Sequence, residues 1–118
     1  MSSAPGQSPA IRVADVRRSI AFYAYLGFEV KGELEAEGVP SWAWLATDGA
    51  ELMLNRGEPP IEAQDGGVLM NLYTRDVGRL HEQLVAAGVD PAWEAGSGKR
   101  ALRLRDPDGY QLLVSERG

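Results

Sequence analysis

Few side chains in this sequence have the chemistry of a catalytic or metal-binding group. The 118 residues include one histidine, His81, and no cysteine, which excludes disulfides, thiolate nucleophiles and cysteine metal sites. A single histidine cannot supply the two imidazoles of a facial iron triad. His81 follows Leu80 in a predicted helix, so we expect a half-packed helix residue rather than a ligand. Among the carboxylates, Glu51 is the candidate general base, because it alternates with apolar residues in a predicted strand.

Two tryptophans are the strongest candidates for ligand contact. Trp42 and Trp44 alternate in SWAWLAT, residues 41–47, so both indoles are predicted to lie on one face of a strand. Indoles stack on planar compounds for about 0.5–1.5 kcal/mol per ring pair beyond burial. A register slip of one residue would instead place both rings beneath the first helix as core. Both interpretations stay open at this point.

A duplication explains how these residues are positioned. DVRRSIAFYAYLG, Asp15–Gly27, matches DVGRLHEQLVAAG, Asp76–Gly88, at an offset of 61 (76 − 15). The pair Asp48 and Gly49, before the strand ELML, matches Asp108 and Gly109, before QLLV, at an offset of 60 (108 − 48). Two copies of one layout, separated by a single deletion, therefore make up the chain.

Each copy predicts the order β-α-β-β-β. Asp15 and Asp76 are predicted helix N-caps, and Gly27 and Gly88 are predicted to end the helices in a left-handed conformation. Apolar residues recur at helical spacing and predict one buried face per helix: Val16, Ile20, Tyr23 and Leu26, then Val77, Leu80, Leu84 and Ala87.

One copy alone would leave a sheet face and its edges uncovered, so the two copies are expected to share one domain covering residues 1–118. Module one covers about 9–56, a linker rich in Pro and Gly covers about 57–66, and module two covers about 67–116. The first eight residues are expected to be a loose arm.

Composition excludes several classes of partner. The net charge is −5, and no Lys/Arg cluster is longer than two residues, which argues against nucleic acid and anionic membranes. No run of 18 apolar residues predicts a membrane span, and the first ten residues do not resemble a secretory signal. We therefore expect a cytoplasmic protein.

The helix segment VADVRRSIAFYAYLGFEV, the AG ending of the second helix and RDPDGYQLLVSE together resemble the vicinal oxygen chelate superfamily. That group includes glyoxalase I, the bleomycin resistance proteins and the extradiol dioxygenases. The resemblance covers residues 11–116. It implies an α+β fold in which two tandem β-α-β-β-β modules form a curved mixed sheet around a pocket, with the helices on the outer face. It also implies a homodimer.

The resemblance further allows a test for metal. In metal-dependent members, a His or Glu stands at one inward position on the first and last strand of each module. The corresponding positions here are Ser8, Met53, Leu69 and Leu113. These side chains cannot hold a divalent ion that requires imidazole or carboxylate, so no metal and no cofactor is expected.

What remains resembles the bleomycin resistance proteins, which sequester a drug without transforming it. If Asp48 and Gly49 form a hairpin turn, Trp44 faces Met53 and Trp42 faces Asn55. Alternation then predicts these ligand-binding residues: Trp42, Trp44, Met53, Asn55, Leu69, Asn71, Tyr73, Leu113, Arg12 and Glu51. Arg103 and Arg105 are assigned to the opposite face as surface charge.

The sequence therefore predicts a metal-independent protein that binds an aromatic or amphipathic small molecule in an apolar pocket, without a catalytic residue. The alternative is an enzyme of the same superfamily: a metal-dependent lyase, isomerase or dioxygenase, or a metal-free isomerase that uses Glu51. A third interpretation is a structural dimer whose pocket is filled by Met53, Leu69 and Leu113.

Overall fold

The computed structural model describes residues 2–58, 67–94 and 100–117, with side chains from residue 8 onward. It confirms the predicted α+β class. The elements in chain order are β1 (Ser2–Gln7), β2 (Ala10–Val13), α1 (Val16–Tyr25), β3 (Glu29–Ala36), β4 (Val39–Arg56), β5 (Val68–Thr74), α2 (Val77–Ala86), β6 (Ala92–Trp93), β7 (Ala101–Arg105) and β8 (Gln111–Glu116). Most of the predicted linker, residues 59–66, lies outside the described residues.

Both helices begin and end where the duplicated sequence predicts. The carboxylates of Asp15 and Asp76 accept the backbone N–H of Arg18 (3.2 Å) and Arg79 (3.0 Å) in the first helical turn. Gly27 and Gly88 end the helices with φ of 86° and 85°. These two glycines are needed, because a side chain at such a φ is strained.

The described strands form one mixed sheet in the order β2-β4-β1-β5-β8-β7-β6, with β3 paired to the other part of β4. β2 runs parallel to the end of β4, and β5 runs parallel to β8. β3 and β4, and likewise β7 and β8, are antiparallel. The two modules thus repeat the same pairing scheme, as the duplication requires.

The first residues are not a loose arm, and that expectation is wrong. β1 pairs with β4 through Ser2 and Gln7 and with β5 through Ser2 and Ser3. It therefore lies between the two modules and joins their strands into one sheet. The backbone hydrogen bonds that two adjacent strand edges offer explain why a segment with little apolar sequence is held there.

The chain changes face within β4, at Asp48 and Gly49. Buried positions are odd before this point, at Ala43 and Leu45, and even after it, at Ala50, Leu52 and Leu54. Because successive strand residues alternate faces, both sets can share one core only if the chain reverses or inserts a residue here. Gly49 has a φ of 78°, as a tight turn requires. These features support the predicted register of Trp44 against Met53.

A second tight turn was missed in the sequence. Glu37 and Gly38 have φ of 53° and 77° between the paired residues Ala36 and Val39. Two positive φ values in a two-residue loop are the geometry of a type I′ hairpin. Glu37 gives no turn signal by itself, since glutamate seldom adopts a positive φ.

The core lies between the helices and one face of the sheet. The strand residues that alternate toward the helices are buried: Ile11, Val13, Leu52, Leu54, Leu72, Leu112 and Val114. On the helices, Val16, Tyr23, Leu26, Val77, Leu80 and Leu84 are buried as predicted, Ile20 is half-buried and Ala87 is exposed. Ser19 and Phe22 are buried as well, and Ser19 was missed because its buried role depends on a partner in module two.

Candidate functional site

The face of the sheet opposite the helices, called the open face below, carries most of the predicted ligand-binding residues. Trp42, Trp44, Met53, Glu51, Tyr73 and Leu113 are half-buried, and Arg12, Asn55 and Asn71 are exposed. Strand pairing brings Arg12 beside Asn55 and Asn71 beside Leu113. Leu69 differs from this set, because it packs against the buried core next to an irregularity in the pairing of β5.

Trp42 and Trp44, the indole pair, lie over a glycine in the neighbouring strand. Gly32 is directly paired with Trp44, and Leu34 is directly paired with Trp42. A Cβ atom at Gly32 would lie 3.3 Å from Cζ3 of Trp42 and 3.8 Å from Cε3 of Trp44. The missing side chain at residue 32 is therefore what lets both rings lie against β3.

The indole N–H of Trp44 has no hydrogen-bond partner. Its Nε1 atom is shielded from solvent, and it is the one buried side-chain polar atom without a partner among the described residues. Leaving a buried donor unsatisfied costs about 1–3 kcal/mol. Because the atom is closed to solvent, an acceptor can reach it only if the ring or its neighbours move.

Leu34 extends the apolar surface beside the indole pair. Its side chain is 61% exposed, although it faces Trp42 in the β3–β4 pairing. Val39, the first residue of β4 after the Glu37–Gly38 turn, is also exposed. Module one therefore presents apolar side chains and two indoles on a face that the described residues leave open.

Glu51 lies on the open face with a hydroxyl beside it. Ser8 donates from Oγ to Oε2 of Glu51 at a long distance of 3.5 Å. Within the described residues, no histidine, lysine or arginine forms an ion pair with Glu51. A catalytic base is normally oriented by such a partner, so the arrangement gives the enzyme alternative no specific support.

The corresponding face of module two is polar, and here one sequence assignment was wrong. Arg103 does not lie on the opposite face: it is paired with Leu113 and donates from Nη1 to Oε1 of Gln111 at 2.9 Å. Its Nε and Nη2 each donate to the carboxylate of Glu94 at 2.9 Å. Alternation correctly places Arg103 on the face away from Leu102 and Leu104. The pairing of Arg103 with Leu113 shows that this face is the open face.

These contacts explain the charge state of the pair. The Arg103 hydrogen bonds hold the pKa of Glu94 below its usual value, and the same bonds with Glu94 raise the pKa of Arg103. Both groups therefore stay charged, and most of the donors of the guanidinium are already used.

Arg103 also borders a cavity of about 520 Å³ at the other end of module two, together with Arg105, Phe22, Val89 and Asp106. None of the ten predicted ligand-binding residues lines this cavity. We place the candidate site at the indole pair instead, because two large aromatic side chains are only half-buried there.

The DPDG segment joins the two modules through buried carboxylates. Asp106 accepts the Tyr23 hydroxyl (2.6 Å) and the backbone N–H groups of Asp108 and Tyr110 (both 2.9 Å). Asp108 accepts the backbone N–H of Ala14 (3.0 Å). Burial raises the pKa of Asp106 against the effect of these hydrogen bonds, and burial followed by the Asp106 charge raises the pKa of Tyr23 well above 10.0.

The segment is therefore structural, as predicted for Tyr23 and Tyr110. The Tyr110 hydroxyl donates to the backbone carbonyl of Arg12 at 2.9 Å. Asp108 also accepts the Ser19 hydroxyl at 3.3 Å, which explains why that serine is buried in α1.

His81 has the packing role expected from the sequence, and its partner is Trp93. Their rings stack with centroids 5.0 Å apart, and the guanidinium of Arg100 lies 4.9 Å from the Trp93 centroid. These aromatic and cationic contacts fasten the short edge strand β6 to α2. They lie on the helix side of the sheet, away from the indole pair.

The donor set does not fit a divalent metal. The four positions that correspond to metal ligands in the resembling family hold Ser8, Met53, Leu69 and Leu113, which offer one hydroxyl and one thioether. Within the described ranges, no group of three His, Cys, Asp or Glu side chains is arranged to hold an ion. We derive no reaction step through a metal.

The described part of the chain contains no helix long and apolar enough to cross a membrane. Solved structures show the same architecture. An antibiotic-binding protein from Streptomyces sp. CB03234, TnmS3, has 22% identity and a TM-score of 0.74, over 100% of this chain and 99% of its own. TioX from Micromonospora sp. ML1 has 21% identity and a TM-score of 0.72, over 96% and 98%.

An enzyme has the same fold as well. Lactoylglutathione lyase from Agrobacterium tumefaciens has 20% identity and a TM-score of 0.69, over 96% of this chain and 95% of its own. No curated protein matches the chain. At these identities the likeness shows the fold, and the function has to be argued from the site.

The model of one family matches residues 7–114, nearly the whole chain, and covers both modules. This match agrees with the two β-α-β-β-β modules and their shared sheet: the chain belongs to the Glyoxalase/Bleomycin resistance protein/Dioxygenase superfamily.

Proposed function

We propose that this chain is a metal-independent binding protein that holds an aromatic or amphipathic small molecule on the open face of module one. The observation that carries the proposal is the apolar character of that face: two half-buried indoles lie over a glycine, beside the exposed side chain of Leu34. Small-molecule sites typically combine apolar walls with few, specific polar groups. The structures of TnmS3, an antibiotic-binding protein, and of TioX show that this fold occurs in such a protein, and at 22% and 21% identity they transfer the fold and no ligand.

The absence of suitable metal ligands supports the metal-independent part of the proposal. Met53 and Leu113 contribute apolar surface at positions where a metal-dependent relative would carry His or Glu. The test is elemental analysis of the untagged protein after dialysis against traces of zinc, nickel, manganese and iron. We expect well under one metal ion per chain. Stoichiometric metal would contradict the proposal and favour a lyase or dioxygenase.

Ligand binding is tested by quenching of tryptophan fluorescence with a panel of planar compounds. A binder gives saturable quenching that Trp44→Ala abolishes and Trp93→Ala leaves in place. Trp93 is the matched control, because it stacks on His81 on the helix side. Turnover of a panel compound that is lost in Glu51→Gln would instead identify an enzyme, and no quenching across the panel would favour a filled pocket.

We also propose that the protein acts as a cytoplasmic homodimer. The uncovered apolar side chains of Leu34 and Val39 favour association, because exposed apolar surface tends to be covered by a partner. Light scattering at micromolar concentration should give twice the mass of the 12.8 kDa chain. A monomer under these conditions would contradict this part of the proposal without touching the ligand test.

A further inference from the structure

A cavity of about 290 Å³ lies between the end of α1 and the start of α2, and here called the interhelix cavity. Arg75, Arg79 and Leu80 of module two line it, together with Tyr25 and Leu26 of module one. None of the ten predicted ligand-binding residues of the open face borders this cavity. The inference drawn from it therefore does not depend on the function proposed for the open face.

In module one, the equivalent place on α1 is filled by the carboxylate of Asp108. That carboxylate accepts the backbone N–H of Ala14 (3.0 Å), the Nη2 of Arg18 (3.5 Å) and the hydroxyl of Ser19 (3.3 Å). Its side chain is only 2% exposed. Three residues around the start of α1 thus form a receptor for a buried carboxylate.

The same three positions of module two line the interhelix cavity. At the offset of 61 between the two helices, Ala14, Arg18 and Ser19 correspond to Arg75, Arg79 and Leu80 (75 − 14, 79 − 18 and 80 − 19). The residue that corresponds to Asp108 is Asp48, which is exposed and forms no ion pair in the described part of the chain. The duplication therefore repeats the receptor at α2 without the carboxylate.

The charges around the cavity favour an anion. Neither Arg75 nor Arg79 forms an ion pair within the described residues, although the chain carries a net charge of −5. Asp76, which also lines the cavity, accepts the backbone N–H of Arg79 (3.0 Å), and Glu116 accepts that of Val77 (3.3 Å). Two N–H groups in the first turn of α2 are already used, so an incoming anion would be held chiefly by guanidinium groups, which bind carboxylates through parallel N–H donors.

The size of the cavity limits the ligand to a small molecule. Its volume lies at the lower end of the about 300–1,000 Å³ that is usual for ligand sites. Leu80 replaces the hydroxyl of Ser19 with apolar surface, and Leu26 adds more. A short hydrocarbon chain suits these walls, and two guanidinium groups suit a carboxylate at each of its ends.

We propose that the interhelix cavity binds a short-chain dicarboxylate, one end of which takes the place at α2 that Asp108 takes at α1. The guanidinium of Arg79 holds this carboxylate as Arg18 holds Asp108. The backbone N–H of Arg75 donates to it as that of Ala14 does in module one. The guanidinium of Arg75 then pairs with the second carboxylate.

Succinate and succinamide are a matched pair of probes for this site, because they share a carbon chain and only the first carries carboxylates. Both are titrated into the full ¹⁵N-labelled chain at constant ionic strength, with sodium chloride as the balancing salt. We expect succinate to move the backbone N–H resonance of Arg75 downfield and to bind about tenfold or more tighter than succinamide. The resonance of Ala14, which already donates to Asp108, should stay in place.

Substitution of single arginines tests which groups hold the anion. Arg79→Gln and Arg75→Gln should each weaken succinate by about tenfold, since each removes a charged donor. Arg56→Gln is the matched control: it removes the same charge from an exposed residue at the end of β4 that does not line the cavity, and should change the affinity by less than about twofold. All three arginines are exposed, so the variants are expected to fold.

Several results would overturn the proposal. An unmoved Arg75 resonance, equal binding of the two probes, or equal losses in all three arginine variants would each exclude a dicarboxylate site here. A gain of tenfold or more in Asp48→Ala would identify the chain's own carboxylate as the occupant. Inorganic phosphate that binds tighter than succinate and also requires Arg79 would overturn the choice of a dicarboxylate.

Failure of this site and failure of the proposed function are distinguishable. Succinate binding without any tryptophan quenching by planar compounds would leave the interhelix cavity as a site and remove the open face. Quenching that Trp44→Ala abolishes, in a protein that does not bind succinate, would do the reverse.

Discussion

The open faces of the two modules have the same backbone layout but differ in how their polar groups are satisfied. Trp44 in module one and Arg103 in module two both come directly before a buried leucine, Leu45 or Leu104, in matching strands. Arg103 donates three hydrogen bonds, to Glu94 and Gln111. The single donor of Trp44 makes none.

This difference shows how a duplicated scaffold divides its roles. In module two the guanidinium of Arg103 on the open face is hydrogen bonded to neighbouring side chains. In module one the equivalent position offers a donor in apolar surroundings, where an unmade hydrogen bond is costly. The fold repeats, and the capacity to bind a ligand is predicted for only one of its halves.

The two turns that follow these strands differ in a similar way. Asp48 is exposed in module one, whereas Asp106 and Asp108 are 5% and 8% exposed in module two. The buried pair accepts hydrogen bonds from Tyr23, Ser19 and the backbone at Ala14, all in module one. Module two therefore holds module one in place through its turn, and the reverse contact is absent at Asp48.

The largest effect is expected from Asp106→Ala. The substitution leaves the Tyr23 hydroxyl and two backbone N–H groups without acceptors. We expect the free energy of unfolding to fall by about 3 kcal/mol or more in urea denaturation. Asp48→Ala, which removes an exposed turn carboxylate in module one, is the control and should change it by less than about 0.5 kcal/mol. Equal losses in the free energy of unfolding would contradict the difference between the two turns, because they would show that both carboxylates stabilise the fold to the same extent.

Tyr23→Phe should have a smaller effect that depends on pH. Removing the 2.6 Å hydrogen bond to Asp106 should cost about 1–2 kcal/mol at neutral pH. Because the pKa of Tyr23 is raised by burial, the folded protein keeps the phenol proton above pH 10.0 while the unfolded chain loses it. The unfolded state then binds fewer protons, so stability falls as pH rises above that value, by up to about 1.4 kcal/mol per unit.

This alkaline loss should be reduced in Tyr23→Phe and retained in Tyr25→Phe, since Tyr25 is 49% exposed. Urea titrations at a series of pH values from 8 upward measure it. An identical alkaline slope in all three proteins would show that Tyr23 does not carry the linkage.

Gly32→Ala is predicted to act on binding more than on folding. The new Cβ would lie 3.3 Å from Trp42, so the ring must shift from its position over β3. A shift away from a favoured rotamer costs about 0.5–1.5 kcal/mol, or about threefold to tenfold in the affinity for a planar compound, measured by tryptophan quenching. Gly67→Ala is the control, because a Cβ there meets no atom within 4 Å. Unchanged binding in Gly32→Ala would remove Gly32 from the site.

The smallest effect is expected from Arg103→Ala. If the polar face of module two takes no part in binding, the affinity for the same planar compound should stay within about twofold, which is less than the contribution of one hydrogen bond. A loss of tenfold or more would break the comparison, because it would mean that both modules line the binding site.

Much of this architecture could be predicted from the sequence, because it depends on local signals. The caps at Asp15 and Asp76, the end of each helix at Gly27 and Gly88, and the alternation of the strands were all confirmed. The register of Trp44 against Met53 gains support from the change of buried face at Gly49. The ligand-binding role of the predicted residues remains a prediction.

What could not be predicted depends on partners distant in sequence. The strand β1 exists because two edges meet beside it, which no feature of residues 2–7 indicates. Arg103 was assigned to the wrong face because its pairing with Leu113 and its bonds to Glu94 depend on how β6, β7 and β8 align. The burial of Ser19 depends on Asp108, 89 residues later in the chain.

The sequence by itself determined the duplicated modules, the helix limits and the residues of the core, because hydrophobic periodicity and capping act within a few residues of the chain. The tertiary structure alone decided which polar groups are satisfied: the carboxylates of Asp106 and Asp108 are, and the indole N–H of Trp44 is not. The physical reason is that a hydrogen bond depends on the position of both partners to within a few tenths of an ångström. That precision comes from packing the two modules together. Among the described residues it leaves the indole N–H of Trp44 as the one buried side-chain polar group without a partner.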